Sequence, residues 1–172
     1  HSLGLQSIHD IYRPDSPPNR APIPLTEPGE RIGTSYVEFD PDKLVGVVKT
    51  DRADSTYTFR DPTDDDLAIA ANLRSFLSEE MERSAVFDDA IHLQFGVGSL
   101  GNALMGELQS LDFGNRDVVY YGELIQDGLL DMIDSGRLET ASATSMALTS
   151  DGQERLFENI DRYAEDIVLR PT

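Results

Sequence analysis

Residues 93–136 read LQFGVGSLGNALMGELQSLDFGNRDVVYYGELIQDGLLDMIDSG. The order is apolar run, glycine-rich turn, helical stretch, apolar run, acid, helical stretch. Gly96, Gly98 and Gly101 spell G-x-G-x-x-G at the mouth of a helix, and Glu123 follows the second apolar run 22 residues after Gly101. A strand–turn–helix–strand unit of this kind builds parallel sheet. The glycine turn and Glu123 both fall at carboxyl ends of strands, where open α/β sheets bind ligands, so they are expected to line one crevice.

Downstream, Gly136 is a suitable residue just past a helix end. The Ala/Ser/Thr-rich stretch 140–148 has room for a strand near Met146. Ser150 is the expected cap of a helix running to about Tyr163, and residues 166–169 (DIVL) form a last strand before Pro171. Upstream, strand Ile91–Phe95 is preceded by a helix that Thr63 caps, with Asp64–Asp66 at its positive end. Leu67, Ala70, Ala71, Leu73, Phe76, Leu77 and Met81 recur at helical spacing and are expected to face the core. Residues 44–48 (LVGVV), between Pro41 and a loop over Asp51–Asp54, read as a buried strand, and Asp54–Thr63 as a polar loop. Residues 1–35 carry Pro14, Pro17, Pro18, Pro22, Pro24 and Pro28, which exclude regular helix. Ile8, Ile11, Tyr12, Ile23 and Leu25 in this arm predict that it packs against something. The alternation predicts an α/β fold: a mostly parallel open sheet with helices on both faces.

The 172 residues suit one domain. There are 32 acids and 14 bases, a net charge of −18, and only Lys43 and Lys49 among the bases are lysines. The acids are dispersed rather than gathered in a tail, which suggests a halophilic protein whose self-repulsion is screened by salt. The same charge repels phosphates and argues against nucleic acid. Absence of cysteine removes disulfides and thiolate metal sites. No apolar run is long enough to span a bilayer, and no basic segment followed by an apolar one marks a signal peptide, so the expected location is cytoplasmic.

The residues leave three readings of the central unit open. In the first, the glycine turn and helix N-terminus hold a pyrophosphate and Glu123 binds ribose hydroxyls, as in an NAD-binding Rossmann dehydrogenase domain. Against it, a strand and a helix precede the turn, and ribose binding does not require the specific ELIQDG sequence. In the second, the turn serves a carbonyl oxygen gaining negative charge. In the third, the glycines only permit a sharp turn and Glu123 is a solvated acid in a non-catalytic α/β fragment. Ser99 is no nucleophile elbow, because G-x-S-x-G fails at Val97. His9 and His92 lack metal-ligand spacing. Asp127 fits a cap for the helix after Glu123 better than an acid or base.

FGVGSLGNALMGEL and YYGELIQDGLLDMIDSGRLETASATSMALT resemble the acetyl-CoA hydrolase/transferase family, most like the succinyl-CoA:acetate CoA-transferases of class I. The family's G-x-G-x-x-x-N-A turn corresponds to Gly96, Gly98, Asn102 and Ala103. Its T-E-x-x-x-D-G signature corresponds to Glu123, Asp127 and Gly128. The likeness continues through Asp131, Gly136, Ala141, Ala143, Thr144 and Ser145, then Arg162-Tyr163 and Leu169-Arg170-Pro171. Upstream it takes in His9–Tyr12, Asn19-Arg20, Pro22–Pro24 and Arg31–Gly33. Gly122 stands where the family usually has Thr. Gly101 stands where Ala or Pro is common, so the dinucleotide-like pattern is a coincidence on this reading.

The resemblance implies a Rossmann-like CoA-transferase domain that moves CoA between an acyl-CoA and small carboxylates. Glu123 is the implied nucleophile, passing through a glutamyl-CoA thioester, with acetyl-CoA hydrolysis as a related outcome. Gly96, Gly98, Ser99, Leu100, Gly101 and Asn102 are the implied contacts to coenzyme A, which is substrate rather than permanent cofactor. No metal is implied, and the full-length family members are expected to be homodimers. Residues 1–42 read as a proline-rich interdomain connector and 43–172 as the first part of the C-terminal domain. The chain is then expected to be a fragment, inactive alone.

Overall fold

The computed structural model describes residues 5–52, 55–56 and 58–171. The expected loops over Asp51–Asp54 and Asp54–Thr63 lie partly outside the described residues. Helix α1 (Asp64–Arg83) opens on a reciprocal cap: Thr63 Oγ1 accepts from the Asp66 N–H, and the Asp66 carboxylate accepts from the Thr63 N–H at 2.9 Å. This satisfies two amides that a helix start leaves free.

Strand β1 (Ala90–Leu93), helix α2 (Ser99–Leu108) and strand β2 (Asp117–Tyr121) follow. A two-residue strand β3 (Leu124–Ile125) leads into α3 (Asp127–Asp134), then β4 (Thr140–Ala143) and β5 (Ser145–Met146). Helices α4 (Ser150–Glu158) and α5 (Ile160–Asp166) and strand β6 (Ile167–Leu169) complete the order. The main sheet is fully parallel, β1-β2-β4-β6, and β3 pairs with β5 in parallel beside it. The α/β fold with a parallel sheet flanked by helices is thus present. In register, Leu93, Tyr120, Ala141 and Ile167 share a row, and this face with Ile91 and Val118 meets the apolar sides of the helices. Among the described residues no helix is long and apolar enough to cross a membrane.

Helix α3 ends as Gly136 predicts: Gly136 has φ +68°, its N–H reaches the Ile133 carbonyl, and the Arg137 N–H reaches that of Met132. Charged groups tie α3 to the following pair of helices. Arg155 donates to Asp131 at 2.6 Å and lies 2.6 Å from Asp134, while the Tyr163 hydroxyl donates to Asp134 at 2.9 Å.

The arm docks on β6 and the helices beside it. Ile8 is fully buried in the core, His9 bridges Leu169 in parallel, and the Asp10 N–H donates to the Leu169 carbonyl at 2.8 Å. Asp10, 1% exposed, accepts from the N–H groups of Ile32 (3.1 Å) and Gly33 (2.6 Å). Arg170 lies 3.2 Å from Asp10 through Nε, an ion pair whose angle falls short of a hydrogen bond. It also donates to the carbonyls of Pro28 and Glu30 and to the Ser142 hydroxyl. Arg31 donates to the carbonyls of Ala164 and Ile167.

Four expectations need correction. Residues 44–48 form no strand, and Val45 and Val48 are 104% and 91% exposed. They pair with no strand among the described residues, and an apolar run without partners for its amides does not become sheet. The stripe on α1 is only partly core: Ala70 and Met81 are buried, whereas Leu67, Leu73 and Phe76 are exposed. The helix is packed mainly along α2, a narrow seam for a stripe of that width. The cap of α4 is Thr149, accepting from the Gly152 N–H, with Ser150 as first helical residue. The helix expected to run through to Tyr163 breaks at Asn159, whose φ/ψ of −124°/27° leaves the helical region.

Candidate active site

Leu93 of β1 lies opposite Tyr120 of β2, and both chains leave the sheet at the same edge. Gly96 and Glu123 each follow three residues later, so the glycine turn and the acid share one side, as the spacing predicts.

The main chain at Glu123 is fixed from the β4–β5 connection. Its carbonyl accepts from the Thr144 N–H (3.0 Å), the Thr144 hydroxyl (2.9 Å) and the Ser145 N–H (3.3 Å), while the Gly122 N–H donates to Ser142. The Glu123 side chain itself is exposed and makes no hydrogen bond or ion pair among the described residues. A held backbone with a free carboxylate suits a nucleophile or a ligand-binding acid, and does not separate the two.

In the turn, Gly98 takes φ +141°, a conformation that favours glycine, and caps α2 without a side chain. Gly96 is not among the positive-φ glycines; nothing lies within 4 Å of a Cβ placed there, which leaves room for close approach by another molecule. A Cβ at Gly101 would come 2.6 Å from the Gly96 carbonyl oxygen. A side chain at Gly101 would therefore force this turn to shift. Asn102 is the first residue whose N–H reaches back to the turn, at Gly98, leaving the amides of Ser99, Leu100 and Gly101 without intrahelical acceptors. These amides are the natural anion-binding groups here.

The side chains of the turn are used unevenly. Ser99, 7% exposed, donates its hydroxyl to Asp66 at 3.0 Å, so only its main chain is available. Asp66 sits below the usual carboxylate range, held there first by the Thr63 main-chain hydrogen bond, against burial, with Ser99 and Arg60 assisting. Leu100 is exposed at the start of α2. Asn102 instead lines a cavity of about 510 Å³ with Arg60, Gln109, Asp127, Gly128 and Thr149.

Asp127 is a capping group, but not for its own helix. Its carboxylate accepts from the Thr149 N–H (3.1 Å) and hydroxyl (2.6 Å), fixing the start of α4 against that of α3. His9 places Nδ1 2.6 Å from the Leu5 carbonyl, and His92 is exposed on β1. Among the described residues, no three His, Cys, Asp or Glu side chains are grouped to hold a metal.

Sequence reasoning missed Tyr120. It is fully buried, stacks on Phe95 with ring centres 5.7 Å apart, and donates its hydroxyl to the Leu124 carbonyl at 3.0 Å. Burial pushes its phenol up; a main-chain hydrogen bond at Phe95 opposes this, and the Glu123 charge adds to the rise. The signal was available in the period-two spacing of Tyr120 and Gly122, which puts both on one side of the strand.

No family model matches the chain. It is 37% identical over 166 residues to an acetyl-CoA hydrolase of Neurospora crassa, covering 96% of this chain and 31% of that protein. It is 35% identical over 169 residues to a succinyl-CoA:acetate CoA-transferase of Clostridium kluyveri, covering 98% and 31%. With a propanoyl-CoA:succinate CoA transferase of Escherichia coli the identity is 31% over 175 residues, covering 99% and 35%. The chain spans about a third of the length of the curated relatives it matches.

Proposed function

We propose, from the chain's kinship with the acetyl-CoA hydrolase/transferase family, that it carries the reactive carboxylate of an acyl-CoA:carboxylate CoA-transferase. The supporting observation is the pairing at one sheet edge of Glu123, backbone fixed and carboxylate free among the described residues, with a glycine turn whose Ser99, Leu100 and Gly101 amides lack intrahelical acceptors. In this reading a Glu123 oxygen attacks the thioester carbonyl of an acyl-CoA. The C–S bond breaks, CoA thiolate leaves, and an acyl-glutamyl anhydride remains. The thiolate then attacks the Glu123 carbonyl, releasing the donor acid as carboxylate and leaving a glutamyl-CoA thioester. An acceptor carboxylate reverses the sequence; water in its place gives hydrolysis. The amides of Ser99, Leu100 and Gly101 stabilise negative charge on the thioester oxygen, and Gly96, Gly98 and Asn102 complete the contacts to coenzyme A. No metal and no permanently bound cofactor enter any step.

We propose also that the chain acts within a polypeptide of its relatives' length. Residues 1–42 would serve as connector and 43–172 as the first part of an α/β domain, in a homodimer working in the cytoplasm. The test is mass spectrometry of that enzyme after acyl-CoA and borohydride. Reduction of the thioester at Glu123 is expected; modification elsewhere, or none, would sink the assignment.

A further inference from the structure

Glu123 is flanked by a glycine whose missing side chain the structure explains. A Cβ on Gly122 would overlap the Tyr120 hydroxyl and Cζ and lie 2.9 Å from Cε1. The ring tip of Tyr120 thus occupies the space that any side chain at position 122 would need.

That hydroxyl is well situated to hold the loop. It donates to the carbonyl of Leu124, the residue after Glu123. Its ring stacks at 5.7 Å on Phe95, the residue before Gly96. One buried side chain therefore touches the segments carrying the acid and the glycine turn. The Thr144 and Ser145 bonds to the Glu123 carbonyl fix the other side of the loop.

We propose that Tyr120 is a positioning residue for Glu123, setting the distance between the acid and the glycine turn, and that Tyr120 and Gly122 form a mutually dependent pair. This rests on the reading of Glu123 as nucleophile. The aromatic ring fixes the turn, the hydroxyl fixes the loop, and Gly122 makes room for both. Deleting the hydroxyl misplaces the carboxylate without touching a group that binds coenzyme A.

The experiment follows glutamyl-CoA formation by rapid quench and borohydride in the native enzyme. Tyr120→Phe should slow that step about tenfold, with KM for acyl-CoA within twofold of wild type. Gly122→Thr should lose more, through overlap with the ring. Combining Gly122→Thr with Tyr120→Leu, whose side chain stops short of the phenol position, should recover at least tenfold over Gly122→Thr alone. If Gly122→Thr fails to fold, Tyr120→Phe decides by itself. A wild-type rate of thioester formation in Tyr120→Phe overturns the proposal, as does a loss confined to KM. So does a folded double variant no better than Gly122→Thr. Failure to trap any thioester in the wild-type enzyme would instead overturn the reading of Glu123.

Discussion

Replacing Asp10 with Ala should release the arm, and the size of the effect can be worked from its contacts. Asp10 is 1% exposed, accepts from the amides of Ile32 and Gly33, and faces Arg170 at 3.2 Å. Removing one member of a buried pair costs about 3–5 kcal/mol, because the partner is left uncompensated. Arg170 keeps the Pro28 and Glu30 carbonyls and the Ser142 hydroxyl, so the low end applies, about 3 kcal/mol. For a chain of this size 1 kcal/mol moves the midpoint by about 2–4 °C, giving a loss of about 6–12 °C. Asp10→Asn retains one acceptor for the Gly33 amide and should lose roughly half as much. Thermal unfolding by circular dichroism reads the shift, and hydrogen exchange reads the amides of Ile32 and Gly33. If Asp10→Ala melted within 2 °C of wild type with both amides still protected, the clamp would not hold the arm.

Glu123→Gln should lower turnover of the native enzyme at least about a thousandfold, since an amide cannot attack a thioester. Stability should stay within roughly 0.5 kcal/mol, because the side chain is exposed; substantial turnover after deamidation is excluded would remove Glu123 as nucleophile. Asp134 should contribute to an acid-sensitive stability. Burial pushes its carboxyl up, but the hydrogen bonds of Arg162 and Tyr163 and the charge of Arg155 carry it below the usual range. A depressed folded pKa stabilises above the unfolded value and loses that contribution as pH falls through the folded one. Denaturant titrations should therefore show Asp134→Asn with a flatter slope below about pH 4 than wild type; parallel slopes would contradict this. The melting temperature should rise with KCl into the molar range, given a net charge of −18 with two lysines, and an unchanged midpoint would count against salt adaptation.

The sequence made β2 legible to the residue, because Val118–Tyr121 is a β-branched and aromatic run bounded by Asp117 and Gly122. It placed Glu123 and the glycine turn at one edge for the same reason: parallel strands in sequential order put their carboxyl ends together. The two-residue strands β3 and β5 are too short for any periodicity to show. LVGVV carries the composition of a strand without a neighbour to pair with, and composition is silent on neighbours. The break at Asn159 was hidden because α4 and α5 together keep an unbroken helical pattern of polar and apolar residues. The role of Gly101 depends on a carbonyl five residues earlier folding back over it, a distance no pattern of residue types records.

The bridge between His9 and Leu169 joins positions 160 apart in the chain, whereas the strands of the main sheet, β1, β2, β4 and β6, each pair with the next strand of that sheet in chain order. The sheet can grow by local closure, β1 to β6, but the arm has no edge to join until β6 has paired. Contacts of such separation are slow to form. During synthesis at about 5–20 residues per second, the arm leaves the ribosome on the order of ten seconds before β6 exists. Its six prolines give that wait a physical meaning, since a segment unable to supply continuous amide donors is a poor partner for the strand edges exposed meanwhile. Pulse-labelled exchange during refolding should find the Asp10 and Ile11 amides protected after those of β2 and β4; protection in the opposite order would mean the arm nucleates the sheet instead of closing it.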